Sequence, residues 1–263
     1  MTRTVQQLFN LEGKTALVTG GSRGLGLQLA HALGEAGARI MLSSRKAGDL
    51  EEAAADLQAA GIDARWIAAD LSKEEDIRKL ADQTMERMGD VHILVNNAGA
   101  AWGAPAEDHP VEAWDKVMNL NIRGYFILSQ QVARRSMIPR QQGRIINIAS
   151  IAGLGGNPSG MNTVAYNTSK GAVITFTQAL ACEWGKYGIN VNAICPGFFP
   201  SKMTQGTLER IGEDELAAHA PLRRLGDDED LKGTALLFAS DAGKHITGQW
   251  LAVDGGVSVV TGG

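Results

Sequence analysis

Short apolar runs alternate with segments of helical spacing along most of the chain. The first run, residues 15–19, lies between Gly13 and Gly20, and the apolar positions of residues 25–33 then repeat with the period of an amphipathic helix. Further runs of this kind are residues 38–42, 64–68, 91–95, 144–149, 189–194 and 250–253. We interpret each run as a buried strand and most of the segments between them as helices.

The apolar strands and the helices together predict the fold. Residues 72–75, Ser-Lys-Glu-Glu, have the spacing of a capping box before a helix that ends near Met88, and longer helices fit residues 111–136 and 168–186. Because strands this uniformly apolar leave no face for solvent, they predict a parallel sheet with helices on both faces. Right-handed crossovers then predict an α/β fold, a single doubly wound Rossmann-type domain over residues 1–263.

Composition narrows the class of protein. The 263 residues have a net charge of −4 and 44% hydrophobic content, which suits one large core and supplies no positive field for nucleic acid. No apolar stretch reaches the roughly 18 residues of a membrane span, and residues 1–10 lack the apolar centre of a signal peptide. We therefore expect a cytoplasmic protein without a membrane partner. Cys182 and Cys195 lack the paired spacing of a zinc site, which predicts two buried thiols and no metal.

A glycine-rich turn follows the first predicted strand. Gly20, Gly24 and Gly26 allow a tight turn with a close backbone approach to phosphate, and the helix N-terminus after it favours negative charge. This placement predicts a dinucleotide site.

The end of the second predicted strand indicates which dinucleotide binds. Residues 43–46, Ser-Ser-Arg-Lys, lack the carboxylate that would accept a hydrogen bond from a ribose 2′-hydroxyl. Arg45, together with Arg23 of the glycine turn, can instead hold a 2′-phosphate through its planar guanidinium, which favours NADP over NAD. Asp70, after the third strand, either accepts from the adenine amine or caps the helix near Ser72.

Three side chains can form an acid–base site. Tyr166 and Lys170 are four residues apart and share one face of a helix, where a close ammonium would lower the tyrosine pKa from about 10. Ser150 ends a strand and can donate to a substrate carbonyl oxygen. The glycine-containing stretch 155–160 between Ser150 and Tyr166 predicts either a distinctive loop beside the substrate or a neutral surface insertion.

The chain resembles the short-chain dehydrogenase/reductase family over essentially its whole length. The glycine turn 19–26, Asn-Asn-Ala-Gly at 96–99, Asn121, Ser150, Tyr166 with Lys170, and Pro196-Gly197 occur in the family's order. The resemblance implies that Tyr166 gives the proton to the carbonyl, Ser150 polarises it, Lys170 also binds the nicotinamide ribose, and Asn121 holds a relay water. The cofactor-binding residues it implies, together with those from the spacing above, are Gly20, Ser22, Arg23, Gly24, Leu25, Gly26, Arg45, Asp70, Leu71, Asn97, Ala98, Gly99, Tyr166, Lys170, Pro196, Gly197, Phe199 and Ser201.

In this family a lid closes over the substrate, which implies a lid around residues 198–220. An apolar pocket, or in part simply core, is predicted from Trp102, Leu154, Met161, Phe198, Phe199 and Met203. This favours a 3-oxoacyl thioester or another hydrophobic ketone, in line with a resemblance to 3-oxoacyl reductases. Other segments resemble gluconate 5-dehydrogenases, for which Lys202 is the candidate cation for the substrate carboxylate.

A further alternative is a non-catalytic NADP-binding sensor, against which the intact Ser150, Tyr166 and Lys170 count. An acyl carrier protein as partner would meet Arg134, Arg135 and Arg140, unless these form a solvated helix end. The resemblance implies a homotetramer. Apolar residues at 173–180 and 257–260 fit either subunit contacts or internal core.

Overall fold

The computed structural model describes residues 2–157 and 160–260 of the chain. Its strands are β1 (Thr15–Thr19), β2 (Arg39–Ser44), β3 (Ala64–Ala68), β4 (Ile93–Asn96), β5 (Gly143–Ile148), β6 (Ile189–Pro196) and β7 (Trp250–Val253). They form one seven-stranded sheet in the order β3-β2-β1-β4-β5-β6-β7, and every neighbouring pair is parallel. Pro158 and Ser159 of the predicted distinctive loop lie outside the described residues.

Ten α-helices occur in the described part of the chain. They are α1 (Val5–Phe9), α2 (Gly24–Glu35), α3 (Ala47–Ala59), α4 (Glu74–Met88), α5 (Val111–Met118), α6 (Gly124–Val132), α7 (Val164–Trp184), α8 (Gln205–Ile211), α9 (Glu213–His219) and α10 (Lys232–Ala239). None of the helices described is both long and apolar enough to cross a membrane. Helix α7 begins four residues before the predicted start, so it includes Tyr166 as well as Lys170.

The sheet separates two apolar cores. Ala16 and Val18 of β1 point into the core formed with α2, α3 and α10, whereas Leu17 points into the core formed with α4, α6 and α7. All three side chains are fully buried, as expected for a strand that has helices on both sides. The predicted α/β fold with a doubly wound parallel sheet is therefore confirmed.

The strand order places a crevice at one edge of the sheet. The chain runs outward from β1 to β3 and then returns to the other side of β1 as β4. Ligands of such folds bind beyond the carboxyl ends of the strands, where the strand order reverses. Strand ends at Thr19, Asn96, Ile148 and Pro196 all lie along this edge.

The helix predicted over 111–136 is continuous but not regular. A wider π-helical turn over Asn119–Arg123 joins α5 to α6, and a second one over Ala133–Met137 follows α6. Asn121 lies in the first of these turns, where its fully buried side chain bonds to the backbone of Ala100. A wider turn of this kind often occurs at a functional site, and this one turns an amide inward.

Two local predictions are wrong. The N-cap of α4 is Lys73, not Ser72, because the Ser72 hydroxyl and N–H both donate to Asp70 Oδ1, at 2.8 Å and 3.1 Å. These two bonds hold Ser72 in a turn before the helix, so the capping box does not form. Cys195 is buried as predicted, but Cys182 is exposed on α7.

A chain of buried polar side chains joins α6 and α7 to strands β4 and β5 on one face of the sheet. Asn96 Nδ2 on β4 donates to Ser129 Oγ on α6 and to Asn147 Oδ1 on β5, at 3.0 Å and 2.8 Å. Asn147 Nδ2 then donates to Thr177 Oγ1 on α7 at 2.9 Å. Since buried polar groups are stable only when they are paired, these bonds fix how α6 and α7 lie on the sheet.

A histidine at the opposite edge of the sheet is held in its neutral form. The backbone N–H of Thr15 donates to His92 Nδ1 at 3.1 Å, so this nitrogen carries no proton. Burial, and then the charges of Arg140 and Lys14, lower the pKa of His92 from 6.5 to about 4.

The His92 environment predicts acid sensitivity. Because folding lowers the pKa of His92, the unfolded chain takes up this proton at a higher pH, and stability declines as pH falls from about 6.5 to about 4. In urea unfolding, the midpoint should fall less between pH 7 and pH 4.5 in His92→Gln than in the wild type. His245→Gln, which changes an exposed histidine, should behave as the wild type does. Equal pH dependence in all three proteins would contradict this assignment.

Candidate active site

The structure brings Ser150, Tyr166 and Lys170 together at the carboxyl end of β5. Ser150 follows β5 and Tyr166 lies in the first turn of α7, close enough for the serine hydroxyl to lower the pKa of the phenol. Lys170 Nζ donates to the carbonyl of Ile148, the last residue of β5, at 2.7 Å and lies 5.6 Å from the centre of the Tyr166 ring. The three groups therefore converge as the spacing predicted.

The pKa of Tyr166 differs from the prediction. Burial raises the pKa of Tyr166, and the hydrogen bond with Ser150 opposes this shift without cancelling it. Burial in turn lowers the pKa of Lys170 to about 8. At neutral pH Tyr166 thus carries its proton and can act as an acid.

A close backbone contact sets the distance between Ser150 and α7. The short 3₁₀ turn Ile151–Gly153 follows Ser150, whose Oγ accepts from the N–H of Ala152 at 3.1 Å. A Cβ atom at Gly153 would lie 2.5 Å from the carbonyl carbon of Lys170 and 2.7 Å from the nitrogen of Gly171. Only glycine allows this approach, which holds the turn directly against the catalytic helix.

Asn121 joins the catalytic helix to the segment after β4. Its Oδ1 accepts from the N–H of Ala100 at 2.8 Å, and its Nδ2 donates to the carbonyl of Ala100 and to Ser169 Oγ, both at 2.9 Å. Ser169 Oγ donates onward to the carbonyl of Tyr166 at 2.8 Å. Both amide hydrogens are used, so a relay water at Asn121 would need its remaining acceptor sites or its backbone carbonyl. Gly99 lies beside Asn121 and Lys170.

The glycine turn after β1 is shaped for a close backbone approach. Gly20 and Gly24 have φ of 62° and 52°, and a Cβ atom at Gly26 would lie 2.2 Å from the oxygen of Gly20. Asn97 Nδ2 holds the turn by donating to the carbonyls of Thr19 and Gly20, at 2.9 Å and 3.2 Å. In the described structure no side chain caps the start of α2, so its first N–H groups remain for an anion.

The two predicted phosphate-binding arginines are exposed at the same edge but have different neighbours. Arg23 forms an ion pair with Asp49 of α3, with Nη1 and Oδ2 3.2 Å apart. Burial raises the pKa of Asp70, but hydrogen bonds from Ser72 and the charge of Arg45 outweigh it, so this pKa lies below its ordinary value. Arg45 is therefore close to Asp70, whereas Arg23 would have to exchange Asp49 for a phosphate.

The remaining predicted cofactor residues line the same edge. A Cβ atom at Gly197, after β6, would lie 2.7 Å from Asp254 Cβ, and one at Gly24 would lie 3.9 Å from Ser201 Cβ. The backbone of Leu71 passes close to Gly124 of α6. The other positions are Ser22, Leu25 and Ala98, which are partly exposed, and Pro196, which is buried.

The segment predicted as a lid contains α8 and α9, separated at Gly212 with φ of 96°. Every side chain of α8 is at least partly exposed, and α9 buries only Leu216 in the described structure. Of the predicted pocket residues, Phe199 is core instead: it is 3% exposed and its ring fills the space beside Gly226. The exposed ones are Trp102, Leu154 and Met203, and the half-buried ones are Met161 and Phe198.

The predicted lid segment also contains a cation that the sequence did not single out. Arg210 Nη1 lies 3.6 Å from the position of a Cβ atom at Gly160, in the stretch between Ser150 and Tyr166. Lys202, the predicted cation, is exposed. Arg210 follows a glutamate on a short polar helix, and no local pattern separates it from an ordinary surface arginine.

The arginines predicted to meet a carrier protein lie at the wrong edge of the sheet. Residues 134–140 precede the amino end of β5, opposite the edge that holds the catalytic groups. Arg140 donates to the carbonyls of Val91 and Gln142, and Arg135 is paired with Asp82. These bonds give Arg135 and Arg140 structural roles, and docking of a carrier protein at these residues stays a prediction.

Comparisons with known proteins agree with this geometry. The model of the family described as short chain dehydrogenase matches residues 14–211. The chain belongs to the short-chain dehydrogenase family. The predicted resemblance and the prediction of an oxidoreductase are both confirmed.

Three relatives match nearly the whole chain. The rhamnolipids biosynthesis 3-oxoacyl-(acyl-carrier-protein) reductase of Pseudomonas aeruginosa is 42% identical, covering 94% of this chain and 97% of its own. The gluconate 5-dehydrogenase of Gluconobacter oxydans is 37% identical, with coverage of 96% and 97%. The crystal structure of a gluconate 5-dehydrogenase from Burkholderia cenocepacia, in complex with NADP and tartrate, has a TM-score of 0.92 at 34% identity, with coverage of 98% and 100%.

The Gly153 contact predicts a specific loss of turnover. Gly153→Ala should push Ser150 away from Tyr166, and we expect turnover to fall about 100-fold, the order of loss that follows a displacement of about 1 Å. Gly155→Ala in the same loop is the matched control, because a Cβ atom there would meet open space. Circular dichroism should show that both variants are folded. Equal turnover in the two variants would contradict the role of this contact.

Proposed function

We propose that the protein interconverts a ketone and a secondary alcohol by hydride transfer with NADP(H). The observation that carries the proposal is the convergence of Ser150, Tyr166 and Lys170 at the carboxyl end of β5. A binding protein without turnover would have no chemical need for a buried lysine beneath a tyrosine that lies beside a serine. The convergence thus favours an enzyme over the sensor alternative.

The residues present fit a dinucleotide. The close approach of Gly26 to Gly20 leaves a cradle that a Cβ atom would fill, and the N–H groups that start α2 suit a diphosphate. Arg45 stands where a carboxylate would select NAD, so it suits the 2′-phosphate of NADP. The relative from Burkholderia cenocepacia supports this choice, because it was crystallised with NADP. Bound NADPH would supply the hydride.

The protein's own side chains would donate the proton to the substrate and stabilise the charge that remains. Tyr166 donates its phenolic proton to the carbonyl oxygen as that oxygen becomes an alkoxide. Ser150 Oγ already accepts from Ala152, so its hydrogen is free to donate to the same oxygen. The Lys170 ammonium, held below the ring by the Ile148 carbonyl, stabilises the phenolate that remains.

A 3-oxoacyl thioester is the substrate class we propose first. Trp102, Leu154 and Met203, all predicted for the substrate pocket, are 43%, 36% and 51% exposed, which offers an apolar chain a surface to cover. The relative from Pseudomonas aeruginosa is named a 3-oxoacyl-(acyl-carrier-protein) reductase, and this name supports the proposed substrate class. Such a chain can arrive on coenzyme A or on an acyl carrier protein.

A 5-ketogluconate reductase is the second candidate. Lys202 and Arg210 supply the lid with two cations, either of which can bind a carboxylate. The relative from Gluconobacter oxydans, named a gluconate 5-dehydrogenase, supports this reading.

We also propose a homotetramer in the cytoplasm. Phe126, 45% exposed on α6, meets Phe176 of α7 edge-on at 6.4 Å. Trp250 and Leu251 of the edge strand β7 are each 44% exposed. Exposed apolar side chains of this kind favour burial against further copies of the chain.

Turnover tests the proposed reaction. We expect oxidation of NADPH, followed at 340 nm, with an acetoacetyl thioester and with a hydrophobic diketone, and loss of about 100-fold or more in Tyr166→Phe with cofactor affinity retained. Turnover of 5-ketogluconate alone would select the second candidate. Near-normal turnover in Tyr166→Phe would reject Tyr166 as the proton donor. Cofactor binding without turnover of any carbonyl would favour the sensor.

Cofactor titration tests Arg45. Arg45→Asp should shift the ratio of NADPH to NADH affinity toward NADH by about 10- to 100-fold, because a carboxylate repels the 2′-phosphate and accepts from a ribose hydroxyl. Lys46→Asp makes the same change of charge one residue along the chain. Equal shifts in the two variants would mean that only the overall charge of this segment affects the cofactor preference. An unchanged affinity ratio in Arg45→Asp would mean that Arg45 does not bind the 2′-phosphate.

A further inference from the structure

One loop joins Ser150 at the end of β5 to the helix that carries Tyr166. We call residues 151–157 and 160–163 the serine–tyrosine loop, because they connect Ser150 to the helix of Tyr166. The N–H of Ala104, in the segment after β4, donates to the carbonyl of Asn162 at 2.9 Å. On its other side the loop meets Arg210 of the lid at Gly160. The loop thus contacts both the segment after β4 and the predicted lid segment.

A single amide on α7 holds both ends of this loop. Asn167 Nδ2 donates to the carbonyls of Ala152 and Gly155, at 2.8 Å and 3.1 Å. Asn167 Oδ1 accepts from Thr163 Oγ1 at 2.8 Å and from Asn157 Nδ2 at 3.1 Å. Two donors and two acceptor sites are all that an asparagine side chain has, so its bonding capacity is fully used.

The partners also bond to each other. Asn157 Nδ2 donates to Thr163 Oγ1 at 2.8 Å, which closes a small ring of polar side chains around Asn167. Ala152 and Gly155 lie near the Ser150 end of the loop, whereas Asn157 and Thr163 lie farther along it. The two ends are therefore held at one point of α7, directly after the catalytic tyrosine.

We propose that Asn167 is a positioning residue that sets the substrate affinity of the enzyme by fixing the serine–tyrosine loop beside the candidate active site. The inference rests on the proposed function for the reaction at this site. Because Tyr166 and Asn167 are neighbours on α7, one turn of helix carries the acid and the support of this loop. Asn167 itself acts through the loop.

The chemistry requires an amide at this position. An aspartate would retain the acceptor oxygens for Thr163 and Asn157, but it would place a charge against the carbonyl oxygens of Ala152 and Gly155. Asn167→Asp is nearly isosteric, removes the two donors and adds a negative charge. Thr163→Ala removes one partner and leaves Asn167 intact. Gln178→Glu is the matched control, because Gln178 is an exposed amide on the same helix.

Hydrogen–deuterium exchange reports on the loop without any turnover. In the ligand-free protein, amides of residues 152–157 should exchange about ten-fold faster or more in Asn167→Asp than in the wild type, and somewhat faster in Thr163→Ala. Gln178→Glu should exchange as the wild type does. Unchanged exchange in both loop variants would overturn the proposal. If Asn167→Asp does not fold, Thr163→Ala alone decides.

Steady-state kinetics then separate positioning from chemistry. We expect Asn167→Asp to raise KM for the carbonyl substrate about ten-fold while kcat changes about two-fold or less and NADPH affinity is retained. The double variant Asn167→Asp/Thr163→Ala should raise KM little beyond the single Asn167→Asp variant, because both changes release the same loop. An unchanged KM, or an equal loss in kcat alone, would overturn the proposal. A wild type that turns over no carbonyl would reject the proposed function, and the exchange data would still show whether Asn167 holds the loop.

Discussion

A buried ammonium holds the catalytic helix against the end of the central strand. Lys170 is 3% exposed, and its bond to the Ile148 carbonyl ties α7 to β5 at the point where Ser150 follows. The close contact of Gly153 with the backbone of Lys170 brings the next turn of chain onto the same helix. Because both contacts act on one residue of α7, the positions of Ser150 and Tyr166 depend on a single packing arrangement.

Asparagine side chains connect the other parts of the site to this arrangement. Asn147 links β5 to α7 through Thr177, Asn121 links α7 to the segment after β4, and Asn97 shapes the glycine turn. An amide both donates and accepts, so one side chain can satisfy a carbonyl and an N–H of an irregular segment at the same time. Loops that lack a regular ladder of backbone bonds are ordered in this way.

Periodic features of the sequence predicted the fold and the central groups. Apolar runs are local signals. Once a helix is assumed, the four-residue spacing of Tyr166 and Lys170 places both side chains on the same face. Features that depend on contacts between distant segments could not be predicted in this way. The raised pKa of Tyr166 follows from burial, and the contact at Gly153 follows from the path of a loop. Three of the four hydrogen-bond partners of Asn167 lie in the preceding loop, outside its own helix turn.

The segment proposed as a lid, residues 198–220, differs from the rest of the candidate site in what it contributes to folding. Its helix α8 keeps every side chain at least partly exposed, so changes of sequence there remove little buried surface. The catalytic groups, by contrast, share their supports with the core. Mutations can therefore accumulate in the lid without loss of the folded state, and this part of the chain can acquire a new substrate preference while the proton-transfer groups are inherited unchanged.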